Sequence, residues 1–187
     1  MAGINITPFL EAGLNPDPAV RQHGEQQLAI YEQQDAGKLA LLLITELANE
    51  SKPQGARQIA GVYVKNMVAG RSTRQVEEKA ARWLSIDPAL RAQIQQGSLT
   101  ALHQVGPANK ISRDSASLVI SSIGAVEMRA QQWGNLVETL VTTVIRGPDD
   151  QGLRVSVVSG ADIAGPLRLS AINLMMPRIV SLRPFCC

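Results

Sequence analysis

Apolar side chains recur along the chain at steps of three and four, between clusters of Pro, Gly, Asn and Asp. That is the period of helices rather than of strands. Pro8 suits the first turn of a short helix reaching to about Leu14, where a missing amide donor costs nothing, and the NPDP run at residues 15–18 breaks it. Asp17 is then a natural N-cap for a second helix running to about Gln34, with Val20, Leu28 and Tyr31 among its apolar positions. Residues 38–50, KLALLLITELANE, are apolar around much of a helical circumference, which predicts a helix covered on several sides. Pro53 opens a fourth helix that lines Ala56, Ile59, Ala60, Tyr63 and Met67 along one face, and Gly70 is its stop signal.

The second half repeats the scheme. TRQVEEKAARWLS, residues 73–85, places Val76, Ala80 and Trp83 on one side and turns Glu77, Glu78 and Lys79 outward, as a bridging helix would. Asp87-Pro88 supplies a cap and first-turn signal for a helix bearing Leu90, Ile94, Leu99 and Leu102, interrupted by Gly97. A partner helix follows from Ser112 with Leu118, Val119, Ile123 and Val126, then an amphipathic helix over residues 131–145, and another opening at Asp150 or Gln151. Both tryptophans, Trp83 and Trp133, fall among Leu and Ile on these helices and are expected to pack between repeats.

Helical hairpins therefore recur. The apolar positions Leu10, Leu47, Leu102 and Val144 stand at steps of roughly 40, 55 and 40 residues, against the roughly 40 to 47 of a HEAT or armadillo repeat. The long middle step accommodates the extra helix around Trp83. The predicted fold is all-α, an α-solenoid of about three and a half HEAT-type hairpins, whose chemistry is surface recognition.

Composition narrows the functional classes. The 187 residues carry 18 Lys and Arg against 16 Asp and Glu, a net charge of +2 with both signs interspersed, which gives no electrostatic footprint for nucleic acid or an acidic membrane surface. No apolar run approaches the roughly 20 residues that span a bilayer. The only cysteines, Cys186 and Cys187, are adjacent and cannot staple the fold, and the absence of a signal-peptide pattern predicts a reducing compartment. His23 and His103 each stand alone without neighbours at metal-ligand spacing. Phosphate-loop, dinucleotide, nucleophile-elbow and HExxH motifs are missing, so the sequence predicts no enzyme, cofactor or metal.

Four segments carry a more specific signal: GEQQLAIYEQQ (24–34), ELANESKPQGARQIAGVYVKN (46–66), ARWLSIDPALRAQI (81–94) and QQWGNLVETLV (131–141). In residues, order and spacing they resemble the N-terminal region of the importin-β family of karyopherins, over about residues 5–159. The match of RQIAGVYVKN followed by RWLSID is far narrower than a generic HEAT pattern. Residues 160–187 do not continue the repeat; they hold Gly160, Gly165, Pro166, Pro177 and Pro184, and the chain reads as truncated inside its fourth repeat.

The resemblance implies a right-handed stack of outer and inner helices, with the inner helices of the first repeats binding the small GTPase Ran in its GTP form during nuclear protein import. It makes residues 17–34, 53–70, 112–129 and a helix from about Gln151 the inner helices. Matched residue by residue, it points to Lys65, Asn66 and Arg71 as Ran contacts, with Glu25 and Gln26 as weaker carry-overs. Importin-α and nucleoporins would engage repeats beyond this stretch, and the implied location is cytoplasm, nucleus and nuclear pore. Read from the residues alone, Lys65 and Arg71 are equally helix C-terminal cations complementing the macrodipole. A HEAT scaffold that binds no GTPase is the alternative function.

Overall fold

Aspartates set the starts of three helices. Asp17 accepts the Ala19 amide at 2.8 Å, Asp35 the Lys38 amide at 2.9 Å, and Asp87 those of Ala89 and Leu90 at 2.9 and 3.1 Å. Each satisfies donors that a first helical turn leaves unpaired. The computed structural model describes residues 4–104 and 106–146, as eight α-helices: α1 Thr7–Ala12, α2 Pro18–Gln34, α3 Ala36–Ala48, α4 Gln54–Val68, α5 Thr73–Leu84, α6 Pro88–Leu102, α7 Lys110–Arg129 and α8 Leu136–Arg146. One 3-10 turn, Pro107–Asn109, precedes α7. The expected helix from Gln151, the 160–187 segment, the Cys186-Cys187 pair and the side chain of Val144 lie outside the described residues.

The hairpins are α1/α2, α3/α4 and α6/α7, with α3 stacked on α6 and α4 on α7. This is the expected all-α, HEAT-type solenoid: outer helices in one layer, inner helices in the other. Its core is aliphatic, with Leu10, Leu39, Leu43, Ile44, Leu47, Val64, Ile94, Val119 and Ile123 at most 1% exposed. The closest approach of the inner layer needs a residue without a side chain: a Cβ on Gly61 of α4 would lie 2.7 Å from the Ser115 Cβ of α7. Val20 and Leu118 depart from expectation and are exposed. Ala12, the last residue of α1, sits over Gly24, so Val20, one turn earlier on α2, projects past the end of its partner.

The expected helix over residues 131–145 begins later, at Leu136. The amides of Gln131 and Gln132 donate to the carbonyls of Met128 (3.1 Å) and Glu127 (2.8 Å), and Gln131 has φ of 58°. That double closure with a left-handed residue is a Schellman motif, which stops α7 and reverses the chain. Trp133 consequently lies in the connection rather than on a helix, yet it is buried, as is Trp83 on α5.

Polar groups are buried at the seams between hairpins. Arg57 on α4 donates to the Leu47 carbonyl at 3.0 Å, to Asn109 Oδ1 at 2.9 Å and to Gln104 Oε1, while Gln104 donates to the Ala48 carbonyl and Asn109 to Glu50 at 3.0 Å. Burial pulls the Arg57 guanidinium below its usual pKa, with the Glu50 charge opposing. Further along, Glu127 accepts Arg91 Nη1 at 2.8 Å and the Trp83 indole at 2.9 Å, tying α7 to α6 and α5. At the first seam, Glu46 accepts Thr7 Oγ1 at 2.6 Å and pairs with Lys52 at 3.1 Å.

Candidate functional site

The residues singled out in the sequence fall on the inner layer. Lys65 and Asn66 occupy the last turn of α4, Arg71 the connection to α5, and Glu25 and Gln26 the middle of α2. Asn66, Arg71, Glu25 and Gln26 are exposed, and Lys65 is half-exposed. α4 stops at Val68 because Ala69 takes an extended conformation (φ −83°, ψ 134°), its amide closing on the Lys65 carbonyl at 2.8 Å. Gly70 is not a left-handed cap; it is a point of close approach, where a Cβ would lie 2.6 Å from the Val76 nitrogen of α5.

Hydrogen bonds order this corner. Lys65 Nζ donates to Asn66 Oδ1 at 3.2 Å, and the Arg71 amide donates to Gln75 Oε1 at 3.0 Å. The Lys79 ammonium of α5 donates to the Asn66 carbonyl and, at 2.9 Å, to the Ala69 carbonyl. The outward, solvated Lys79 expected from the sequence is thus corrected: it turns back onto the end of α4, whose last carbonyls lack helical partners. What the corner can offer is a fixed set of cationic and amide donors on a surface, suited to carboxylates or other anionic groups of a partner protein.

Beside it lies a half-buried polar cluster that the periodicity concealed. Tyr63 Oη donates to Glu32 Oε2 of α2 at 3.1 Å, and Arg82 of α5 meets Glu32 Oε1 at 3.1 Å. Burial, then the charge and hydrogen bond of Glu32, and then the charge of Glu25, raise the Tyr63 hydroxyl above its usual pKa. Glu25 is therefore within electrostatic reach of α4. Tyr63 was expected on an apolar face; only its partnership with an acidic residue on a neighbouring helix reveals the polar role, and no local spacing encodes that. Among the described residues no three His, Cys, Asp or Glu side chains gather to hold a metal, and no helix is long and apolar enough to cross a membrane.

No family model matches the chain. Importin subunit beta-1 of Arabidopsis thaliana is 30% identical over 145 residues, 78% of this chain and 16% of the relative. The Schizosaccharomyces pombe protein of that name is 31% identical over 144 residues, 77% of this chain and 16% of its own. A crystal structure of importin-β in an ammonium sulfate condition superposes with a TM-score of 0.68 at 33% identity, over 73% of this chain and 16% of that one. Kap95p, whose binding induces the switch loops of RanGDP to adopt the GTP-bound conformation, superposes with a TM-score of 0.68 at 25% identity over the same shares, as does Kap95 in complex with Nup1. The chain spans about 16% of the length of the curated relatives it matches. Relatives at this identity, solved structures that share the helical stack, and the agreement of both with the quoted segments lead to one conclusion: the chain belongs to the importin-β family of nuclear transport receptors.

Proposed function

We propose that this chain binds Ran-GTP through the inner surface of α2 and α4 and the connection to α5, with Lys65, Asn66 and Arg71 as principal contacts and Glu25 and Gln26 at the margin, and that it serves nuclear protein import between cytoplasm and nucleus. The observation that carries this reading is the likeness to Kap95p, a protein that acts on the switch loops of Ran. The half-exposed Lys65 in the last turn of α4 and the exposed Arg71 just after it support the reading, since rim charges of this kind steer association and select partners. The likeness to Kap95 in complex with Nup1 supports nucleoporins as a partner class of the longer receptor, and both nucleoporins and importin-α are assigned to repeats beyond those described. Binding is the whole activity proposed; no bond-making step is assigned to any residue.

The test is direct binding of the chain to Ran loaded with a non-hydrolysable GTP analogue and, separately, with GDP. The analogue-loaded form is expected to bind more tightly, and Lys65→Glu and Arg71→Glu to weaken it about tenfold each, an effect that shrinks in high salt. Equal affinity for both nucleotide forms, or indifference to both reversals, would remove Ran from this surface and leave a HEAT scaffold without GTPase recognition.

A further inference from the structure

α5 is the helix that a plain succession of hairpins does not require, and its contacts show what it does. Arg82 reaches Glu32 on α2 (3.1 Å), the Trp83 indole donates to Glu127 on α7 (2.9 Å), and Lys79 donates to the last turn of α4. One helix thus grips three inner helices. Its side chains Val76, Ala80 and Leu84 run beside Ala125, Val126 and Arg129 of α7, lining a common groove of about 290 Å³. The grip on α4 differs from the other two in falling on backbone carbonyls rather than on a side chain. A terminal helical turn carries the negative end of the macrodipole and carbonyls without amide partners. No glycine-based closure serves α4, because Ala69 departs at once into extended backbone. An ammonium has three donors and no acceptor, so it can bind two carbonyls together. Lys79 does this for Asn66, still in the helix, and Ala69, already outside it, and thereby sets the direction in which the chain leaves.

The other end of the same short segment is also tied to α5, through the Arg71 amide and Gln75 (3.0 Å) and through the contact that excludes a Cβ at Gly70. The Arg71 side chain stays exposed while the segment that carries it is held at both ends. Among the described residues Lys79 has no carboxylate partner, so its charge serves these carbonyls. We propose that Lys79 is a positioning residue for the Ran-binding edge: it holds the Asn66–Arg71 segment in place before the partner arrives and does not itself touch the GTPase. This rests on the function proposed above. Prior ordering lowers the cost of immobilising Arg71 on binding, which is where affinity is gained without a new contact.

A double-mutant cycle on the full chain tests it. Lys79→Met removes the donors at similar volume; Lys79→Arg keeps charge and donors; both are measured with and without Arg71→Ala, against Ran loaded with the GTP analogue. K79M is expected to weaken binding about fivefold, K79R to restore most of that loss, and K79M in the R71A background to cost less than about twofold more, because the two act through one segment. Hydrogen exchange at Ala69 and Arg71, whose amides are bonded to Lys65 and Gln75, is expected to quicken in the unbound K79M chain and not in K79R. If K79M loses helical signal, Lys79→Gln carries the same cycle. Wild-type affinity in K79M or K79Q alongside weakened K65E and R71E overturns the positioning role and leaves the Ran reading intact. An undiminished loss in the R71A background makes Lys79 a direct contact and likewise overturns it. Absence of analogue-selective binding by the folded wild-type chain overturns both.

Discussion

The outer layer and the α4–α5 corner are held by opposite means. Between α3 and α6 the contact is aliphatic: Cβ atoms on Gly37 and Gly97 would lie 2.7 Å from Leu90 Cδ2 and 2.5 Å from Ile44 Cγ2, and Leu39, Leu43, Leu47, Ile94, Leu99 and Leu102 on the two helices are all buried. Such packing is non-directional and tolerates rearrangement at constant volume. At the corner Arg71 and Asn66 are exposed, and order comes from named donors and acceptors: Lys79 on two carbonyls, Gln75 on an amide, Lys65 on Asn66. The first arrangement supplies stability and places the helices; the second fixes a small surface whose geometry a partner can read. The polar seams stand between the two, since they are as buried as the aliphatic layer and as directional as the corner.

The largest effect is expected where those properties coincide. Glu127 is 1% exposed and accepts from both Arg91 and Trp83. Glu127→Ala strands a buried guanidinium and an indole N–H, and is expected to destabilise by about 3–5 kcal/mol in urea unfolding. A loss below about 1 kcal/mol would show that Gln132, which also accepts Arg91 Nη1, at 2.5 Å, suffices for it. Leu43→Ala in the fully buried outer layer comes next, at about 2–5 kcal/mol. If the two regions are as distinct as their contacts indicate, Leu43→Met costs under about 1.5 kcal/mol, while Glu127→Gln, equally conservative in volume, costs more because the buried charge of Arg91 loses its partner.

The same division decides what could be read in the sequence. Leu10, Leu47 and Leu102 were identifiable as core because apolar periodicity is a direct record of burial, and all three are buried. Asp17 and Asp87 were identifiable as caps because a proline follows each. Asp35 escaped, since α2 and α3 meet at that single residue with no proline or glycine beside it to mark a stop, and α3 was expected to start at Lys38. The start of α8 was misplaced because Gln131 holds a left-handed position that a glycine would have announced. Arg57, Arg91 and Glu127 sit inside apolar stripes, where a charge reads as an interruption, although Arg91 lies one turn from Ile94 on the same face. Lys65, Asn66, Arg71, Glu25 and Gln26 came from resemblance to a family. Periodicity by itself cannot separate a cation that binds a partner from one that complements a helix dipole.

The smallest expected effect concerns Asp35, which joins the two layers by ending α2 and capping α3. Its carboxylate accepts the Lys38 amide and also pairs with the Lys38 ammonium at 2.9 Å, but both side chains of that pair are well exposed, so the ion pair contributes little. The hydrogen bond donated by the Lys38 amide is the larger cause holding the Asp35 carboxyl below its usual pKa. A carboxyl whose pKa is lowered by folding stabilises at pH values above its unfolded pKa, near 4, and that contribution disappears as pH falls through the folded value. Asp35→Ala is therefore expected to cost about 1 kcal/mol near pH 7, with the gap to wild type narrowing in acid below about pH 4. Asp35→Asn keeps an oxygen for the Lys38 amide without the charge, and should fall within a few tenths of a kcal/mol of wild type near pH 7. Urea midpoints at about pH 7 and about pH 3 measure both. An Asn variant as unstable as the Ala variant would assign the stabilisation to charge, and would make this junction resemble the charged corner more than the aliphatic layer it leads into.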